Sequence, residues 1–152
     1  MWKETLFGNY KRILTAKTKP EDKLSIELTS ILVSLTIQDK LDAVWFHVGN
    51  EAGRNTKFFT IMQKSKGVVP GVADYIFIGK VNLALELKIG NNKISDKQQA
   101  FSEWCKLNGI MYYVARTVPE ALAILNSSGL LPQCTYLFSL RLHEQVAAIH
   151  YV

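Results

Sequence analysis

Cysteine is scarce in this chain of 152 residues: there are two, Cys105 and Cys134, neither in a CxxC pair nor near a histidine at zinc-finger spacing. That excludes a disulfide framework and a structural zinc. Cys105 falls among the apolar positions of a helical stretch and Cys134 follows Pro132 closely, so both read as buried or incidental thiols. Long apolar runs are missing too. No stretch approaches the roughly 20 apolar residues of a membrane-spanning helix, and no membrane partner is expected. The opening residues carry Glu4 and lack the basic start, apolar middle and small-residue cleavage site of a secretory leader, which predicts a cytoplasmic location. There is no internal repeat and no low-complexity tract.

What is present suits one compact domain. Hydrophobic residues make up 48% of the chain, enough for a buried core at this length. Lysine and arginine number 18 against 13 acids, a formal net charge of +5, a balance that fits a polyanionic partner such as nucleic acid.

Residues 1–22 are rich in lysine and threonine without clear periodicity and read as an N-terminal extension. Leu24, Leu28, Ile31, Leu32 and Leu35 then recur at the spacing of a helix with one buried face, and Glu27 lies near that face. Residues 43–48, aromatic and β-branched, predict a first strand. After a polar segment, the Pro70 and Gly71 turn leads into an apolar run, so a second strand begins close to Asp74. The alternation from Leu83 to Ile89 predicts a third strand, paired with the second, with Glu86 and Lys88 on one face and Leu85 and Leu87 on the other.

Ser95 and Gln98 have the form of a capping box opening a helix that runs to Asn108 and Gly109. A fourth strand follows over 110–115. Thr117 and Glu120 repeat the capping pattern before a last helix closed by Gly129. The order is helix, three strands, helix, strand, helix, with domain bounds of about 23–131 and a C-terminal tail over 132–152, expected to pack on the core or on a second subunit.

On the predicted hairpin, Asp74 and Glu86 bring two carboxylates together. Magnesium and manganese are hard cations that take oxygen ligands, and a phosphodiester supplies one of them, so two protein carboxylates suffice; the Leu87 carbonyl adds a third oxygen. Lys88 projects on the side of Glu86, within reach of a scissile phosphate or its attacking water. Alternating acids and lysines also occur on solvated strand faces, which is the ordinary reading of Glu86 and Lys88 taken alone.

Four linked blocks change the weight of that pattern: His47 with Asn50 and Glu51, Gly67 to Asp74, Ala84 to Lys88, and Lys93 to Gln98. In order and spacing they resemble the VRR-NUC branch of the PD-(D/E)XK nuclease superfamily, found in phage and bacterial proteins and in larger DNA-repair nucleases. The resemblance implies an α/β, restriction-endonuclease-like core of order αβββαβα, a central mixed sheet flanked by helices. It implies that Asp74 and Glu86 bind Mg2+ or Mn2+, that Lys88 assists hydrolysis, that Gln98 lines the site, and that an acid of the first helix completes it. Glu27 is the choice for that acid and Glu21 its rival. Stand-alone members suggest a homodimeric endonuclease acting on branched DNA such as four-way junctions, in a bacterial or phage-infected cell. Ala73 stands where the family usually has proline, and Ala52 interrupts what is commonly Asn-Glu-Gly.

Other residues carry two readings each. Gln98 either satisfies its helix cap or serves the site. His47 is a packed strand residue or positions substrate. Glu51 helps form the substrate surface or is merely solvated, as is the charge run of Arg54, Lys57, Lys64 and Lys66, which otherwise contacts phosphates. Lys93 and Lys97 flank a helix N-terminus that itself attracts anions, so a DNA phosphate fits there. Two other readings of the whole chain compete: a catalytically silent nucleic-acid-binding module, and a restriction-like or RNA-directed nuclease on the same scaffold.

Overall fold

The computed structural model describes residues 1–49, 57–132 and 140–144, with the backbone alone for 57–60. The described elements run α1 (Trp2–Phe7), α2 (Pro20–Ile37), β1 (Ala43–His47), α3 (Lys57–Ser65), β2 (Tyr75–Gly79), β3 (Leu83–Leu87), α4 (Asp96–Leu107), β4 (Met111–Ala115) and α5 (Val118–Ser127). The result is a mixed α/β architecture around one four-stranded sheet in the order β1-β2-β3-β4.

Connection length decides the strand directions. β2 and β3 are joined by a short turn, in which the Gly79 N–H donates to Asn82 Oδ1, and they pair antiparallel, as β1 and β2 do. β3 and β4 are parallel, a pairing that needs a crossover, and α4 supplies it. The crossover brings the start of α4 to the carboxyl end of β3.

Every residue of β3 is buried, but its two faces meet different neighbours. Leu83, Leu85 and Leu87 join Tyr75, Phe77 and Ala115 in the main core, covered by Leu28, Ile31, Leu32 and Leu35 of α2 and Ala121, Leu122 and Leu125 of α5. On the other face Ala73, Ala84 and Cys105 form a smaller cluster with Ile76, Phe101 and Tyr112. Short side chains at 73 and 84 let α4 sit close to the sheet. Tyr75 is fully buried, with its hydroxyl 2.7 Å from Ser25 Oγ and from Thr29 Oγ1 and donating to the Ser25 carbonyl at 3.0 Å. These bonds fix the rotation of α2 about its axis relative to β2.

Two helices lie where none was expected. α1 forms inside the extension; six residues make a marginal helix in isolation, and this one docks by stacking Phe7 on Trp45 at 5.8 Å. α3 occupies part of the polar segment, and the spacing of Phe58, Ile61 and Met62 was its unread signal. α2 starts at Pro20, inside the expected extension, because proline suits a first helical turn. The capping box of α4 is present on both sides. At α5 half of it forms: Thr117 Oγ1 accepts from the Glu120 N–H, but Glu120 accepts from the Arg116 N–H instead of that of Thr117. In the tail, residues 140–144 are helical, and Leu140 and Leu142 pack on the main core. Cys134 lies outside the described residues; Cys105 is buried with a free thiol.

Candidate active site

Three pieces of chain meet at the carboxyl end of β3: the residue before β2, the end of β3 and the first turn of α4. Asp74 is held from both sides, since its carbonyl accepts the Val48 N–H at 2.7 Å and its Oδ2 accepts the Leu87 N–H at 2.8 Å. In a strand the N–H and C=O of one residue point the same way, so the Leu87 carbonyl faces the Asp74 side as well. Glu86 is only 1% exposed. Its Oε1 accepts from Lys88 Nζ at 2.7 Å and from Gln98 Nε2, while its Oε2 is buried with no hydrogen-bond partner among the described residues.

The two readings of Gln98 turn out to be one arrangement. Its Oε1 accepts the Ser95 N–H at 2.9 Å, the capping bond, and its Nε2 is thereby turned towards Glu86. Capping thus orients the amide that holds the carboxylate. Gly71 makes this approach possible. It has φ +80, and a Cβ there would stand 2.4 Å from the Lys97 carbonyl and 2.7 Å from Gln98 N.

Burial pushes the Asp74 carboxyl above its ordinary range; the Leu87 N–H, His47 and Lys88 pull it back, and Glu21 adds to the rise. Burial likewise raises Glu86, opposed by the Lys88 hydrogen bond and reinforced by the charge of Asp74. Two carboxyls destabilised by dehydration and by each other are a place where a cation is favoured.

The site opens into a cleft of about 590 Å³, lined by Asp74, Glu86, Leu87, Lys88, Gln98 and His47 and, across the fold, by Glu21, Asp22 and Ser25 of α2 and by Thr15, Lys17 and Thr18. His47 packs edge-on against Tyr75 at 4.9 Å and lines the cleft. The acid of the first helix is corrected here. Glu27 is buried on the α5 side of α2, in a separate cavity with Leu24, Arg116, Thr117 and His143, whereas Glu21 lines the cleft. At about 100° per residue, six residues turn a helix through about 240°, so Glu21 and Glu27 cannot share a direction. Glu27 follows the core register of Leu24; Glu21 follows that of Ser25, which the Tyr75 hydroxyl fixes towards the sheet.

The other expected contacts separate. Lys64 and Lys66 are exposed on and just after α3, and Lys93 and Lys97 are exposed just before and within the first turn of α4; none of these lines the cleft. Asn50, Glu51 and Arg54 and the side chain of Lys57 lie outside what is described. Residues that sequence reasoning passed over are Thr15, Lys17, Thr18 and Asp22, together with Tyr112. The Tyr112 hydroxyl is buried without a hydrogen-bond partner among the described residues, and its ionisation is pushed up by burial and then by Glu86 and Asp74. Tyr112 lies beside Ala84 on the face that carries Glu86, a relation readable only once β4 is known to pair with β3.

The donor set fits a hard divalent cation on one observation above others: a buried carboxylate oxygen, Glu86 Oε2, with no donor facing it among the described residues. Among the described residues no group of three or more acidic, histidine or cysteine side chains is drawn together as a metal cage. Two carboxylates with substrate oxygens and water are nevertheless the usual environment of magnesium.

No family model matches the chain, and no curated protein matches it. Among solved structures, one described as a "VRR_NUC domain protein" is similar at a TM-score of 0.44 and 16% identity over 84% of each chain. That likeness is too slight to assign a family, and the site stands on its own geometry.

Proposed function

We propose that the chain is a metal-dependent nuclease with a restriction-endonuclease-like core that hydrolyses phosphodiester bonds of DNA in the Asp74–Glu86 cleft. The observation that carries this reading is the buried Glu86 carboxylate, held on one oxygen by Lys88 and Gln98 and without a partner on the other among the described residues, beside Asp74. A structural ion pair would need only one such partner. A hydrophobic residue would serve a purely structural strand better, because burying charge costs several kcal/mol per ion before compensation.

Asp74 and Glu86, with the Leu87 carbonyl, would hold Mg2+ or Mn2+, with Glu21 in place of Glu27 as the further acid of the cleft. Bound there, the ion supplies Lewis-acid polarisation of the phosphate and acidifies a water molecule. The protein's own groups do the rest. The Leu87 N–H fixes the orientation of Asp74, and Gln98 fixes that of Glu86. Lys88 Nζ has three protons and commits one to Glu86, leaving donors for the phosphate oxygens as negative charge builds in the pentavalent transition state.

The sequence resemblance favours branched DNA, such as a four-way junction, and a homodimer, since one compact site cuts one strand. The deciding experiment incubates the purified chain with labelled four-way junction, flap, linear duplex and RNA in magnesium or manganese, beside Asp74→Ala and an EDTA control. Metal-dependent cleavage of the junction, lost in the variant, supports the proposal. Tight binding without cleavage of any substrate overturns it in favour of a silent binding module, and preferential cleavage of RNA moves the substrate class.

A further inference from the structure

One wall of the cleft has no part in the chemistry above. Thr15, Lys17 and Thr18 line the same cavity as Asp74, Glu86 and Lys88, although some 60 residues separate them from β2. The segment that brings them there is laced to the body of the fold. Lys3 Nζ bonds the Asp39 carboxylate at 2.6 Å and the Ile37 carbonyl at 3.0 Å, Phe7 stacks on Trp45, and the Tyr10 hydroxyl is 2.8 Å from Ser30 Oγ. The strap ends in a turn locked on itself: the Thr18 N–H donates to the Thr15 carbonyl at 3.0 Å, and the Thr15 N–H donates to Thr18 Oγ1 at 2.9 Å. Lys17 is the third residue of that turn.

Charge gives the turn a task. The cleft lining carries the carboxylates of Glu21, Asp22, Asp74 and Glu86 against the ammonium groups of Lys17 and Lys88. Lys88 is engaged by Glu86. Among the described residues lining the cleft, Lys17 is the lysine whose ammonium has no partner, and it is exposed. A nucleic-acid strand entering an acidic cleft brings several phosphates, and a metal ion at Asp74 and Glu86 neutralises only the one it binds. The flanking phosphates need a cation of their own.

We infer that the strap is a substrate-binding wall, in which Lys17, presented by the Thr15–Thr18 turn, pairs with a backbone phosphate next to the one hydrolysed. This rests on the reading of the cleft as a nucleic-acid site. It adds a contact outside the sheet and helices that carry the chemistry, and it makes the N-terminal segment part of the active site instead of an appendage.

The test measures binding of a fluorescent oligonucleotide duplex to the full chain in calcium as a function of salt, for wild type, Lys17→Ala, Lys17→Glu and Lys80→Ala. Lys80 is an exposed control in the turn between β2 and β3, at the end of the sheet remote from Asp74. Lys17→Ala is expected to weaken binding roughly 3- to 10-fold and to lower the slope of log K against log salt by about one, with Lys17→Glu weaker still and Lys80→Ala unchanged. Thr18→Val, which removes the acceptor that locks the turn, is expected to move binding the same way by less. Where cleavage is measured, KM rises and kcat holds. An unchanged constant and slope in Lys17→Ala, an equal loss in Lys80→Ala, or a wild type that binds no nucleic acid overturns the inference. Binding that depends on Lys17 in a chain that hydrolyses nothing defeats the nuclease reading and leaves the wall standing; normal cleavage and binding by Lys17→Ala does the reverse.

Discussion

The two faces of β3 obey opposite physics one residue apart. Leu83, Leu85 and Leu87 point into a core of leucines from α2 and α5, where each side chain is stabilised by leaving water and has no preferred partner. Glu86, equally buried, points to the α4 side, where leaving water is the cost; Lys88 and the Gln98 amide offset part of it, and the negative charge of Asp74 across the hairpin adds to it. One face therefore carries the stability of the fold. The other gives up some of it to hold the buried Glu86 carboxylate beside the half-buried Asp74 at one end of the sheet.

Exchanging the functions of the faces gives the sharpest contrast. Asp74→Asn should abolish metal-dependent cleavage while leaving the melting temperature of the metal-free protein equal or higher, because the asparagine can still accept the Leu87 N–H without a buried charge. A melting temperature several degrees lower would mean that the carboxylate is structural, and the contrast would fail. Leu85→Ala should do the opposite. A loss of about 2–5 kcal/mol is expected in denaturant titrations, with cleavage per folded molecule retained.

A smaller effect separates capping from chemistry at Gln98. Gln98→Ala should weaken metal affinity about 10- to 100-fold, the scale expected when a group that orients a ligand is removed, and calorimetric titration with Mn2+ would read it. Ser95→Ala removes the cap and leaves the Gln98 amide in place, so it should cost only about 1 kcal/mol of stability with metal affinity nearly intact. Equal losses of affinity in both variants would show that the cap, not the amide, organises the site.

The smallest effect is in pH. Both carboxyls are raised in the folded state, so their contribution to stability is complete below about pH 4, where the unfolded chain also holds the protons, and it is lost as pH rises through the raised folded values. The metal-free protein should therefore lose melting temperature as pH rises above about 4, at roughly 2–4 °C for each kcal/mol in a chain of this size, and Asp74→Asn should flatten that fall. Saturating Mg2+ should oppose it, since the ion binds the deprotonated groups. A pH profile identical in wild type and Asp74→Asn would remove Asp74 from the account.

Much of the site was legible because it is local. Alternation along a strand puts Glu86 and Lys88 on one face whatever the strand pairs with, and the Ser95 to Gln98 spacing announces its own cap. The turn at Pro70 and Gly71 gives the position of Asp74, and the structure adds why a glycine is required there, which is the closeness of α4. Glu27 was misplaced because the helical period gives angles between residues of α2 but not the angle of α2 to the sheet. Lys64, Lys66, Lys93 and Lys97 are near the site residues in sequence but do not line the cleft, whereas Lys17, from the N-terminal segment, lines it beside Lys88.

The sequence by itself determined the element types over most of the core, the pair of faces on β3 that sets Glu86 and Lys88 together, and the capping position of Gln98, since each follows from a period of two, a period of 3.6 or a capping rule acting within a few residues; the grouping of Asp74 with them as site residues came from the resemblance. Only the tertiary structure decided that Glu21 and not Glu27 faces the cleft, that the Gln98 amide reaches Glu86, and that Thr15, Lys17 and Thr18 close the wall. Those outcomes depend on how elements rotate and dock on one another: the Tyr75 hydroxyl fixes α2, and the Phe7 stack on Trp45 fixes the strap. Contacts between residues distant in sequence leave no periodic trace in it.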